Sequence, residues 1–283
     1  MALTNAPAYI ATPPPPPRPY GIFDVAMGPM PFPESGSVGS GTLYVPDTCQ
    51  DDVFLYDLRC PSVTGSKTFS AIETPVSGAP FAVIVSYTCG SIGFSFDEIR
   101  QKLLTRMQIH SQRGVERRIW QGQPNGPLGG IPGLFQSATT LTAAACVTEA
   151  VEVLEQTLAD NGVVGGMIHA RPGMAAHLAQ SHLIEAGARN RIETALHTPF
   201  VFGQGYNGTG PQGQATTGST EYMYASGRIL IWEDSETFIP PVGETLDRVT
   251  NQIYSTAEKI YAVAIECGVW AIEVTRTCTT AGA

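Results

Sequence analysis

The chain has 283 residues, enough to bury a sizeable core as one large domain or two linked ones. A formal net charge of −9 argues against a protein that coats nucleic acid, because phosphate binding needs a basic face. Charged residues are only 14% of the chain, and 30 glycines with 22 prolines imply long ordered loops or surfaces that partners cover.

No apolar run reaches the roughly eighteen residues of a membrane-spanning helix. The N-terminus, MALTNAPAYIATPPPPPRP, lacks the charged and apolar regions of a secretory signal. Six cysteines (Cys49, Cys60, Cys89, Cys146, Cys267 and Cys278) show neither CxxC nor metal-finger spacing and read as reduced, mostly buried thiols.

Residues 1–41 read as an arm rather than a folded core. Pro13 to Pro17 is a polyproline II segment. Tyr9, Ile10, Tyr20, Ile22 and Phe23 are too apolar for a purely solvated tail, so the arm is expected to order on neighbouring subunits. Residues 42–93 read as β: TLYVPDTC, DVFLYDLRC and PFAVIVSYTC are rich in β-branched and aromatic residues. Between the last two lies a polar excursion tipped near Gly65-Ser66-Lys67.

A long helix follows, from Phe94 to Gly122. Ser95 with Glu98 predicts a capping box, Phe94 and Ile99 a hydrophobic staple, and Gly122 the stop. About 27 residues at roughly 1.5 Å each make a rod on the order of 40 Å. Arg100, Lys102, Arg106, Arg113, Arg117 and Arg118 are six of the sixteen basic residues in the chain. Its apolar stripe drifts: Ile99, Leu103 and Met107 share one face, while Val115 and Ile119 lie well round from it. The rod therefore bends at Gly114 or crosses its support diagonally. Its basic residues are either solvated or part of an inter-subunit contact.

Gln123 to Ile131 is a turn-rich linker. Thr142 is placed to cap a second helix with Val147, Val151, Leu154 and Leu158 inward, ended by Asn161-Gly162. A buried strand, VVGGMIHA, precedes a third helix, PGMAAHLAQSHLIEAG, opened by Pro172. The order suggests a compact α/β module. TPFVFGQGY is the next strand, and GTGPQGQATTGST a glycine-rich loop returning as EYMYASGRILIWED. The last segment, TLDRVTNQIYSTAEKIYAVAIECGVWAIEV, reads as two or three strands forming an antiparallel sheet under the long helix.

Gly203, Gly205 and Gly208 match G-x-G-x-x-G after a strand, but no helix N-terminus follows to hold a pyrophosphate, and a flexible loop at a subunit junction accounts better for them. His177 and His182 do not share one helix face, and His169 reads as a satisfied core histidine. No nucleophile elbow, phosphate loop or metal-ligand spacing occurs.

VERRIWQGQPNGP, GGMIHARPGMAAHL followed by TPFVFGQGYNGTGP and YMYASG, and NQIYSTAEKIYAVAIECGVWAIEV occur in an order that resembles the major capsid proteins of tailed bacteriophages with the HK97 fold, particularly those of phages of actinobacteria. The resemblance covers roughly residues 42–278. It implies an α+β fold: an N-terminal arm (1–41), an extended-loop region (42–93), a peripheral domain with a long spine helix and β-sheet (94–130 and 228–283, the last strands alternatively joining the axial domain), and an axial α/β domain (131–227). It further implies a structural, non-enzymatic subunit that self-assembles into hexamers and pentamers of an icosahedral head around double-stranded DNA. Such a head forms in the host bacterial cytoplasm, without cofactor, metal or membrane, and with portal, scaffolding or decoration proteins as partners. Contacts between subunits are expected at Arg100, Arg106, Arg113, Arg117, Arg118, Gly205, Gly208 and Gly210. Some relatives cross-link a loop Lys to an Asn beside a Glu, and Lys67, Asn251 and Glu258 stand at the corresponding places. A chain starting with a Pro-rich arm implies a separate scaffolding protein or none. The rivals are an encapsulin-type nanocompartment shell, an enzyme using the α/β module, and a minor virion protein.

Overall fold

One 25-residue helix and two five-stranded sheets organise the chain. The computed structural model describes residues 19–33, 41–46, 75–90, 95–123, 130–187, 191–240, 246–247 and 252–276. Lys67, Asn251, Phe94, the polyproline segment and most of the excursion lie outside the described residues.

The long helix spans Phe96–Trp120. Its capping box forms as the sequence suggests: Glu98 N donates to Ser95 Oγ at 3.3 Å, and Ser95 N donates to Glu98 Oε2 at 2.7 Å. At the other end Gly122 adopts φ 68, a left-handed conformation that glycine takes at little cost.

The helix runs unbroken through Gly114 and crosses its support diagonally. Ile99, Leu103 and Met107 are buried early, then Gln112, Val115, Glu116, Ile119 and Trp120 on a face rotated from the first. Gly114 lies close against the sheet beneath: a Cβ there would lie 2.8 Å from Val83 Cγ1.

The sheet under this helix is built on the 14-residue strand Gln252–Ile265. Pro80–Gly90 pairs antiparallel with it from Ala262↔Pro80 to Gln252↔Gly90. Its other edge takes Ile229–Glu233 and Leu246–Asp247, and Met27–Pro31 joins Ile229–Glu233 in parallel. Alternation sends Phe81 and Val83 into the core and leaves Ile84 exposed. The antiparallel pair Thr42–Tyr44 and Val76–Gly78 covers part of the far face, where the Tyr44 and Trp232 rings lie 5.8 Å apart.

Residues 19–33 correct the expectation of an arm resting on neighbours. Ile22 is fully buried in the core of its own chain, and Phe202 N donates to Tyr20 O at 2.8 Å. The proline-rich composition concealed this, because parallel pairing with Ile229–Glu233 requires a partner two hundred residues away.

The second sheet runs in the order Phe200–Phe202, Met167–Ala170, Thr220–Ser226, Val269–Thr275, Thr139–Thr140. Helices Val147–Asp160 and Met174–Gln180 share its second core. The apolar stripe Val147, Val151, Leu154 and Leu158 is buried as its spacing predicts, and Gly162 ends that helix at φ 61. Thr142 is not the cap, however: the helix starts after Cys146. Residues 141–144 lie along the last strand, with Leu141 N bonded to Ala271 O and Ala144 N to Glu273 O, each at 2.8 Å. The third helix is also shorter than expected, because His182 turns left-handed at φ 54 and Glu185–Ala186 is extended.

Cys146 and Cys267 are each disulfide-bonded, which corrects the reading of six reduced thiols. Local spacing carries no information about cysteines that the fold brings together from distant segments.

Candidate assembly surfaces and the junction between the sheets

Two strands cross from one sheet to the other side by side. Thr220–Ser226 continues through Gly227 and Arg228 into Ile229–Glu233, and Gln252–Ile265 continues through Glu266–Gly268 into Val269–Thr275. The crossings are tied by Glu266 N to Arg228 O (3.0 Å) and Gly227 N to Gly268 O (3.2 Å). Arg228 Nε and Nη2 each donate to a different carboxylate oxygen of Glu266 at 2.8 Å, a two-pronged pair around a carboxylate with no exposed surface. Burial, and then the negative charge of Glu266, push the nearby Tyr44 hydroxyl well above the ordinary tyrosine range. Gly227 is required here because a Cβ would meet Glu266 O at 2.1 Å.

Glu116 forms the second tie. Fully buried, it accepts from Ile22 N (3.1 Å) and Gln112 Nε2 (3.0 Å) on one oxygen and from Gly205 N (3.0 Å) on the other. One carboxylate thus binds the N-terminal segment, the long helix and the loop at 203–209. Burial raises its pKa to about 7, against the opposing pull of these donors and the Gln204 amide. The Tyr206 hydroxyl is pushed far up by burial and by the Glu116 charge.

Aromatic rings seal the same corner. The Trp120 ring lies 4.5 Å from Tyr206 and 4.5 Å from Tyr224, and Trp120 Nε1 and the Tyr224 hydroxyl both donate to Thr209 O at 3.0 Å. His169 is the core histidine that the sequence suggests. Ser226 Oγ donates to Gly227 O, so it accepts from His169 Nε2–H at 2.8 Å, and Nδ1 accepts from the Tyr206 hydroxyl at 3.0 Å. Burial lowers the histidine pKa to about 3. The Ser–His couple superficially matches a nucleophile and its base, but neither residue has any exposed surface, so no substrate reaches it. Among the described residues no metal-binding group of His, Cys, Asp and Glu converges.

The expected glycine contacts need correcting. Gly205, Gly208 and Gly210 are buried within their own chain rather than offered to a neighbour. A Cβ at Gly205 would meet Arg117 N at 2.5 Å, and one at Gly210 the Tyr222 ring at 2.5 Å. The exposed part of the loop is residues 212–219, apart from the half-buried Thr216. Of the five arginines, Arg118 is half-buried: it donates to Pro132 O and lies 5.7 Å over the Phe81 ring, and burial lowers its pKa. Arg106 donates to Ser86 O at 2.5 Å and sits 4.8 Å over Tyr87, yet remains exposed with Arg100, Arg113 and Arg117. Glu258 lies on the long strand, paired with Ile84 and bridged to Phe238.

Sequence reasoning missed Glu116 and the Arg228–Glu266 pair. Glu116 had a faint signal, since it sits beside the apolar stripe between Val115 and Ile119. The pair had none, because only the two crossings bring its members together.

No protein-family model matches the chain, and no curated protein sequence matches it. Solved structures do. The capsid of a native GTA particle is 10% identical, with 96% of each chain covered and a TM-score of 0.54. A structure from Mycobacterium phage Adephagia is 11% identical over 98% of this chain and 96% of that one, with a TM-score of 0.54. The SrpI encapsulin of Synechococcus elongatus PCC 7942 is 10% identical over 98% and 96%, with a TM-score of 0.52. At such identities the likeness is one of fold: the chain has the α+β HK97-type fold.

Proposed function

We propose that the chain is the major capsid subunit of a tailed bacteriophage of actinobacteria, self-assembling into hexamers and pentamers of an icosahedral head around double-stranded DNA. The observation that carries this reading is the extent of the fold: the likeness to capsid structures covers 96% and 98% of the chain. The domain assignment follows the sheets. The sheet under the long helix is the peripheral domain, and the sheet with helices Val147–Asp160 and Met174–Gln180 is the axial domain. The strand Val269–Thr275 belongs with the axial sheet. The exposed loop residues 212–219 then face the capsomer axis, where a permissive backbone tolerates the small rotations between hexamer and pentamer. Portal, scaffolding or decoration proteins are the further partners of such a head, and the virion is its location.

The likeness to the SrpI encapsulin supports a second reading, a nanocompartment shell with an enzyme cargo. Electron microscopy of the chain expressed alone tests both. Icosahedral shells or capsomer rings are expected, and a monodisperse monomer or dimer at every salt and concentration overturns both. Shells purified from the natural source that hold DNA favour the head, and shells that hold a protein cargo favour the nanocompartment. A boiled SDS gel of the same particles with monomer bands alone removes the Lys67–Asn251 link.

A further inference from the structure

Two exposed stripes of opposite charge and equal length run along two different helices. On the long helix, Arg106, His110, Arg113 and Arg117 are all exposed and spaced four, three and four residues apart. At about 100° per residue they share one face, opposite the buried Gln112, Val115, Glu116 and Ile119. On the helix Val147–Asp160, Glu149, Glu152, Gln156 and Asp160 are exposed and spaced three, four and four. In each stripe the first and last residues lie eleven positions apart, roughly 16 Å at the helical rise.

Neither stripe is neutralised by the described residues of its own chain. Arg113, Arg117, Glu149, Glu152 and Asp160 enter no ion pair among the described residues. Local contacts hold the acidic side chains in place: Glu149 accepts from Ala145 N, and Asp160 from Gln156 Nε2, each at 2.6 Å. The Arg106 guanidinium lies 4.8 Å from the centre of the Tyr87 ring. In a chain of net charge −9, a basic stripe this concentrated stands against an otherwise acidic surface, and the acidic stripe of another copy matches its length and sign.

We infer that the basic stripe of one copy docks on the acidic stripe of helix Val147–Asp160 of a neighbouring copy. This rests on the capsid reading and names one of its subunit contacts. The two patches differ, so the contact is heterologous, the kind that builds a ring when its rotation closes, as the proposed hexamers and pentamers require. Exposed pairs of this kind set register and steer encounter, and they weaken with salt.

Charge reversal on the full chain tests it, read by particle yield and sedimentation at low salt, with melting curves confirming folded protein. Arg113→Glu with Arg117→Glu is expected to raise the concentration needed for assembly about tenfold or more. Glu149→Arg with Glu152→Arg is expected to do the same. Combining all four reversals restores assembly. Mixing the two reversed proteins also restores it, as rings with an even number of alternating copies. Should a reversed protein fold poorly, the neutral Arg113→Gln with Arg117→Gln, expected to weaken assembly and flatten its salt dependence, takes its place. Wild-type assembly matched by each reversed protein alone overturns the inference and leaves the capsid reading intact, as does loss of assembly that neither combination rescues. Reversal of the arginines that spares assembly but abolishes binding to double-stranded DNA also overturns it, assigning the stripe to the polyanion. A wild-type chain that forms no ring or shell refutes the capsid reading itself.

Discussion

Removing Arg228 isolates the contribution of the junction between the sheets. In the Arg228→Ala variant, the Glu266 carboxylate keeps its buried position and loses both guanidinium donors. Breaking a buried pair from one side costs about 3–5 kcal/mol, and the partial exposure of the arginine (32%) brings the figure to the lower end, about 3 kcal/mol. For a chain of this size that is a fall of roughly 6 °C in melting temperature. Replacing both residues with methionine removes the uncompensated charge, and that variant melts closer to wild type than Arg228→Ala does. Circular dichroism melts of the unassembled chain measure both. A single variant within about 1 °C of wild type, or a double variant as unstable as the single, refutes the argument that the pair clamps the crossings.

Three further outcomes follow from the same structure. Glu116 has a folded pKa of about 7, above its ordinary 4.5, so its stabilising contribution is complete below pH 4.5 and is lost as pH rises through 7. The stability difference between wild type and Glu116→Gln in urea is expected to shrink from pH 5 to pH 8, and a pH-independent difference counts against it. Gly114→Ala gains about 1 kcal/mol of helix propensity but drives a methyl against Val83, for a net loss of about 1 kcal/mol; adding Val83→Ala recovers it, and failure to recover dissociates the two residues. Of six cysteines two are bonded, so thiol titration of the unfolded, unreduced protein finds at most four; six reactive thiols refute the bonds.

Much of the helical framework was legible because its signals are local. Ser95 with Glu98 and the glycine at 122 bracket the long helix, and the stripe Val147, Val151, Leu154, Leu158 marks the second one. The drift between Ile99 and Val115 was legible as well, although whether it meant a bend or a diagonal crossing depended on where Val83 lies. The errors cluster where a distant segment overrides a local preference. Thr142 is a sound cap by type, yet its neighbours bond to Ala271 and Glu273 instead. Gly205 has the composition of a flexible loop, yet its amide is held by Glu116.

By itself, then, the sequence determined the two ends of the long helix, which helix faces are apolar, and that an acidic chain carries a concentrated run of arginines. Such features depend on residues a few positions apart. The tertiary structure alone decided that the last two long strands belong to different sheets, that Ile22, Val25 and Ala26 are core, and that buried Glu116 and the pair of Arg228 with buried Glu266 are the ties. Those outcomes depend on which remote surfaces meet. A carboxylate's cost or benefit is set by the donors and the water around it, and neither is written in its neighbours along the chain.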